Sequence, residues 1–230
     1  MIGRDRIRRA VRDGLVEAPR LGAGVSHPEW ANELADLLIT ADRSGGRDQL
    51  AVSMAHAIDE VRRRTDAVRV VATGISWLGS GVAAVERTMA DLIASAKQEV
   101  MLTAYSMTLG SERIWDELER ALATGVRCTL VIDRYEQQDE EARMLLGRLA
   151  ATYSATMQMF EFVPMDDRDG LHAKVVVVDR GAALIGSANL SHRGLVSAHE
   201  LSVVVEGPTA GQIVEQVERL IRSHSVRRIT

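Results

Sequence analysis

The chain holds one cysteine, four prolines and two lysines, and aromatic residues make up only 3% of its 230 positions. A lone cysteine forms no intrachain disulfide, and Cys128, in the apolar run RCTLVID, reads as a buried side chain. No stretch approaches the roughly 18 consecutive apolar residues of a membrane-spanning helix. So few aromatics are also a poor supply for anchoring at a membrane surface. The opening residues MIGRDRIRRAVRDG carry charge without an apolar run behind them. No secretory signal is therefore expected, and the cytoplasm is the expected compartment. Net charge is −4, so no global basic field advertises nucleic-acid binding, although a local patch is still open. There is no internal repeat and no low-complexity segment. Apolar content of 46% is ordinary for a globular chain able to bury a core. The length suits one full domain plus an extension, or two small domains.

What the chain does have is concentrated in LHAKVVVVDRGAALIGSANLS, residues 171–191. HAKVVVVD and AALIGSAN are β-branched, strand-like runs. A two-residue turn at Arg180-Gly181 would set Asp179 opposite Ala182. Lys174 would then face Ser187, and His172 would face Asn189. Residues at i and i+2 share a face with their directly opposed partners. One hairpin would thus gather an imidazole, an ammonium, a hydroxyl and a carboxamide. That patch suits a phosphodiester. Lys174 is a compact cation with three donors, and Ser187 and Asn189 add neutral donors for non-bridging oxygens. His172 can act as nucleophile or proton carrier near neutral pH. Nothing in the group looks like a metal cage, and no cofactor is implied. A single histidine on a strand is usually structural, but His172 comes with five partners at fixed spacing. Lys174 is also one of two lysines among 26 arginines, which suggests a requirement for a compact cation.

The spacing H-x-K-x4-D-x6-G-S-x-N, met here by His172, Lys174, Asp179, Gly186, Ser187 and Asn189, resembles the HKD motif of the phospholipase D superfamily. Gly194-Leu195 and Glu200-Leu201 are similar to the family's following segment, in which a glutamate hydrogen-bonds the catalytic histidine. The position two residues before that glutamate, usually asparagine, is Ala198 here. The resemblance covers residues 67–207 and implies a phospholipase D-like α/β fold.

Residues 1–66 read as a helical N-terminal extension. Ile7, Val11 and Leu15 mark a first helix among Arg4, Arg6, Arg8, Arg9 and Arg12. A solvated face is preferred there over a phosphate contact. Ser26-His27-Pro28-Glu29 opens a second helix, and a third runs over residues 48–64. His27 and His56 read as structural. From residue 67 to 230 strands and helices alternate. Strands are expected over 68–71, 99–106, 127–133, 157–163 and 201–205 around the hairpin. Helices are expected over 82–96, 111–123, 139–151 and 208–223. The tail Ala104-Tyr105-Ser106 of the second strand is within reach of the site. The expected fold class is α/β: a sheet flanked by helices on both faces, which the antiparallel hairpin makes mixed.

Family members commonly build one site from two motif copies. This chain has no second H-x-K, and neither His192 nor His199 has a lysine two residues on. A C2 homodimer is the simplest source of the second half. The resemblance then implies a phosphohistidine on one His172, a proton delivered by the other, and phosphate oxygens held by Lys174, Asn189 and Ser187. It gives Glu200 the imidazole to orient. Asp179 closes the hairpin and reads as chiefly structural. The expected substrate is DNA or RNA. Chain size, the helical N-terminus and Ala72-Thr73-Gly74 are similar to the phospholipase D-like component of DISARM-type anti-phage defence systems. That likeness would add other defence-system proteins as partners. The alternatives are a lipid phosphodiesterase and a non-catalytic assembly module. Asp166, Asp167 and Asp169 beside the motif lend weight to the module unless they form a solvated turn, the preferred reading.

Overall fold

A computed structural model describes residues 66–77, 81–110, 112–166 and 168–229. The helical extension expected over residues 1–66 lies outside these, Asp66 excepted, as do Ser111 and Asp167. Strands are β1 (Ala67–Thr73), β2 (Glu99–Ala104), β3 (Arg127–Asp133), β4 (Met157–Phe162), β5 (Lys174–Val178), β6 (Ala182–Gly186), β7 (Glu200–Glu206) and β8 (Val226–Arg228). Helices are α1 (Val85–Ala94), α2 (Glu112–Ala123), α3 (Glu140–Thr152) and α4 (Pro208–Ile221). The strands form one mixed sheet in the order β1-β7-β6-β5-β2-β3-β4-β8. β2, β3 and β4 run parallel, joined by helical crossovers, whereas β5, β6 and β7 are antiparallel neighbours.

Period-two alternation sorts each strand between two apolar layers. Val100, Leu102, Leu130, Met159, Val176 and Leu184 pack under α1, α2 and α3. Met101, Val131, Val175, Val177 and Ala183 pack under α4. This two-sided burial explains why β5 is an unbroken valine run: every position from Lys174 to Val178 is buried. In α2 the buried set is Ile114, Trp115, Leu118, Ala121 and Leu122, a stripe at helical spacing. Leu118, Leu130, Leu146 and Leu149 are fully enclosed, and truncating any to alanine costs about 2–5 kcal/mol. Cys128 is buried in the first layer, and burial pushes its thiol up to about 12.

The helix starts follow local chemistry. Asp139 caps α3 by accepting a bond from Ala142 N at 3.1 Å. Pro208 opens α4, where its missing N–H is no loss. The C-terminal strand β8 was not expected from the sequence. It pairs antiparallel with β4, and the Arg227 guanidinium meets Glu161 Oε2 at 2.6 Å.

The central hairpin departs from its expected register. Lys174 pairs with Gly186, not Ser187, and Val178 pairs with Ala182. His172 precedes the ladder and has no strand partner. The turn is centred one residue earlier than expected, on Asp179 and Arg180, with φ of 49° and 55°. Gly181 N donates to Val178 O across it at 3.0 Å. Two consecutive left-handed residues make the turn that follows strand twist. What holds Asp179 at the tip is its carboxylate, which accepts bonds from Lys97 N, Gln98 N and Glu99 N at 2.8, 2.8 and 2.9 Å.

Candidate active site

The site begins at the carboxyl ends of β2 and β3, where the chain enters β5. Asp133, 2% exposed, ends β3. Its Oδ1 accepts the Leu171 N–H at 2.8 Å, and its Oδ2 accepts from the Arg134 guanidinium at 2.7 Å. Arg134 in turn donates to Asp169 O at 2.9 Å. The segment before His172 is therefore gripped from β3. Thr103, on β2, supplies the next hold: its Oγ1 donates to Ala173 O at 2.8 Å and accepts from Val175 N at 3.1 Å. Between these holds the His172 side chain stands exposed.

Lys174 is buried beside it, 6% exposed. Its ammonium turns back to donate to His172 O at 2.8 Å and lies 4.8 Å from the centre of the Tyr105 ring. The same ring meets the His172 imidazole edge-on, centroids 4.5 Å apart. One of three ammonium donors is spent on the carbonyl, which leaves two for a ligand. Burial lowers the Lys174 ammonium below the usual lysine value, and the field of Glu200 offsets part of that. Tyr105 is thus central to the site. Its strand tail is anchored by Gln138, whose Nε2 donates to Tyr105 O at 3.0 Å and whose Oε1 accepts from Met107 N at 2.9 Å.

The other half of the motif lies beyond β6. A Cβ at Gly186 would fall 1.9 Å from Ser202 Oγ on β7, so only glycine fits there. Ser187 N donates to Leu201 O at 3.2 Å, and Thr108 N donates to Leu190 O at 2.9 Å, which ties the 187–190 segment to both β7 and the β2 tail. A Cβ at Gly194 would lie 2.6 Å from Asn189 O, which explains the glycine at the second position of the π-helical turn Arg193–Ser197. Asn189 Oδ1 is buried with no hydrogen-bond partner, so that oxygen is not spent on the scaffold.

Glu200 and Asp179 both bond to other partners than the imidazole in this chain. Within this chain Glu200 turns to Ser187 and not to the imidazole. Its Oε2 accepts from Ser187 Oγ, and no bond joins it to His172 among the described residues. Ser187 reaches it because the β6–β7 pairing of Gly186 with Ser202 sets Ser187 beside the start of β7. Asp179 is not in the site: five residues of strand, about 16 Å, separate it from Lys174. Burial pushes its carboxyl up, but the bonds from Glu99, Lys97 and Gln98 outweigh this and hold it below the usual aspartate value.

The structure therefore brings together His172 and Lys174 around Tyr105, and Ser187 with Glu200, whose charge is felt at Lys174. Asp133, Thr103 and Gln138 were not singled out in the sequence. The signal for Asp133 was available: a carboxylate ends an otherwise apolar strand at the sheet edge where α/β proteins place ligands. Of the acidic loop, Asp166 and Asp169 share a local turn. Asp166 Oδ1 accepts from Arg168 N at 2.8 Å and from Asp169 N at 3.1 Å.

Comparison with known proteins agrees with this fold. A family model described as cardiolipin synthase, PLD-like domain, matches residues 89–224. The chain is 28% identical over 140 residues to the DISARM protein DrmC of Bacillus paralicheniformis, covering 60% of this chain and 57% of that protein. It is 23% identical over 158 residues to cardiolipin synthase A of Buchnera aphidicola, covering 67% and 30%. The chain thus spans just over half of the first relative and under a third of the second. In fold it is similar to the phospholipase D family member Nuc from Salmonella typhimurium, with TM-score 0.56, 22% identity, 71% of this chain and 98% of that one. NucT from Helicobacter pylori matches with TM-score 0.54, 12% identity, 72% of this chain and 100% of that one. A mixed sheet of this order, the complete motif on its central hairpin, and a family match over more than half of the chain establish that it belongs to the phospholipase D superfamily.

Proposed function

We propose that this chain is a metal-independent phosphodiesterase acting on DNA or RNA at a homodimeric site, in the cytoplasm, as part of an anti-phage defence system. The observation that carries the chemistry is the Lys174 ammonium. It is buried, fixed on the His172 carbonyl beside Tyr105, and has two donors to offer a phosphate.

The reaction proceeds in two displacements. An imidazole nitrogen of His172 attacks phosphorus while the bond to the leaving oxygen breaks. The partner's His172, as imidazolium, gives that oxygen its proton. Water then attacks the phosphohistidine, passing a proton to the partner's His172 as the phosphorus–nitrogen bond breaks. Diester and water become monoester and alcohol. Such proton transfer contributes about 10²–10⁴-fold in rate. Lys174, Asn189 and Ser187 hold the non-bridging oxygens, with Ser187 exchanging its bond to Glu200 for one to phosphate.

The second copy is called for by the single H-x-K of the chain. Leu201, 53% exposed and bonded to Ser187, offers apolar surface for it at the edge of the half-site. The likeness to a DISARM protein supports the defence reading, with other defence proteins as partners. The matches to cardiolipin synthase favour a lipid phosphodiester as the second reading. No helix among the described residues is long and apolar enough to cross a membrane.

The test is cleavage of labelled single- and double-stranded DNA and RNA in excess EDTA at low salt, where phosphate contacts are strongest. Wild type is compared with His172→Ala, and sedimentation gives the oligomeric state. Cleavage lost in the variant, with label trapped on wild-type protein, supports the proposal. A clean dimer that cuts no nucleic acid but releases a phospholipid headgroup would move the assignment to the lipid reading. A dimer that does neither would leave the assembly role.

A further inference from the structure

Tyr105 is one of eight aromatic side chains in the chain: three Tyr, three Trp and two Phe. It lies against both the His172 ring, at 4.5 Å between centroids, and the Lys174 ammonium, at 4.8 Å. Yet it is 37% exposed. Packing on Lys174 accounts for the inner contact but not for leaving the rest of a scarce aromatic at the mouth of the site. Its hydroxyl makes no hydrogen bond among the described residues, so the ring is the functional part. The backbone beneath it is held by Gln138 through Tyr105 O at 3.0 Å and Met107 N at 2.9 Å. This is a rigidly mounted aromatic face beside the nucleophile.

We propose that Tyr105 is a stacking platform for the nucleobase next to the scissile phosphate, and that the preferred substrate is therefore a single-stranded nucleic acid. The inference rests on the nuclease reading and deepens it. A phosphorus within bonding reach of the His172 imidazole lies beside the Tyr105 ring, so the nucleoside on one side of it passes that ring. Every base has a π-face to offer, which gives affinity without sequence preference. In a duplex that face is covered by neighbouring base pairs. Only an unstacked base reaches the tyrosine.

The experiment measures kcat/KM on two single-stranded oligomers of equal length, one bearing bases and one built of reduced abasic sugars. Wild type is compared with Tyr105→Phe, Tyr105→Trp and Tyr105→Leu, with thermal melting as the check of folding. The readout is the ratio of the two kcat/KM values. A ring that only positions His172 and Lys174 slows both substrates alike and leaves that ratio unchanged. Stacking predicts that Tyr105→Leu lowers the ratio by about tenfold or more, mainly through KM, while Phe and Trp preserve it. Wild type should also cut single strands faster than the matching duplex. An unchanged ratio in Tyr105→Leu, or a wild-type ratio near one, overturns the platform and leaves the nuclease intact. Wild type inactive on every nucleic acid overturns both, and is seen before any variant is made.

Discussion

Replacing Asp179 by alanine separates a structural role from a catalytic one. The carboxylate receives three backbone N–H groups, from Lys97, Gln98 and Glu99, at 2.8–2.9 Å. A bond to a charged acceptor contributes about 1.5–3 kcal/mol when well enclosed. Two of the three here are exposed and the third is half-buried, and water can replace them in the variant. The expected loss is therefore about 2–3 kcal/mol, not three full bonds. For a domain of this size that is a fall in Tm of about 5–10 °C. The pH dependence has a definite sign. The folded carboxyl titrates below its ordinary value of 3.8, so its contribution is fully present above that pH and is lost as pH falls through the lower folded pKa. Denaturant unfolding of wild type and Asp179→Ala should show a constant gap between pH 5 and 7 that narrows below about 4. Hydrolysis well below the melting temperature should persist, because the residue stands about 16 Å along the strand from Lys174. A variant that melts like wild type but no longer hydrolyses substrate would refute this reasoning and return Asp179 to the site.

Other expectations follow from the same geometry. Lys174→Met should lower kcat about 10²–10³-fold, as removal of an oxyanion donor does, without lowering Tm, because it removes a desolvated ammonium. Lys174→Arg should fail to restore turnover in the same assay, since the space between His172 O and the Tyr105 ring holds a compact cation. Activity that needs the ammonium should decline with rising pH below the usual lysine range. Glu200 raises the Lys174 pKa, so Glu200→Gln should move the alkaline limb of the kcat profile to lower pH. Gly186→Ala should cost about 1–3 kcal/mol in denaturant unfolding because its Cβ would fall 1.9 Å from Ser202 Oγ. Adding Ser202→Gly should recover only part of that loss, because the Cβ would still lie 2.7 Å from Leu201 O, and the coupling is readable in a double-mutant cycle.

The alternation of helix and strand was legible from residue 67 onward because each strand carries a period-two or all-apolar signature and each helix an apolar stripe. β3 has its expected bounds, and α2, α3 and α4 fall within two residues of theirs. β8 was not legible: three residues with two arginines carry no strand signal, and it exists because β4 offers an open edge and Glu161 a partner for Arg227. The π-helical turn at Arg193–Ser197 was equally silent, being shaped by the close approach of Gly194 to Asn189.

By itself the sequence determined the motif, its residue types and the α/β class, because these depend on spacing and hydrophobic period along a short length of chain. The tertiary structure decided the hairpin register, since the tip is held by backbone N–H groups about 80 positions away in sequence. It also decided that Glu200 meets Ser187 within the chain, and which backbone groups hold Asp179 in the scaffold role its place in the hairpin implied. The placing of Tyr105, Asp133, Thr103 and Gln138 around His172 and Lys174 was decided there too. Those four come from other strands and loops, and only a folded sheet brings the ends of β2, β3 and β5 to one place.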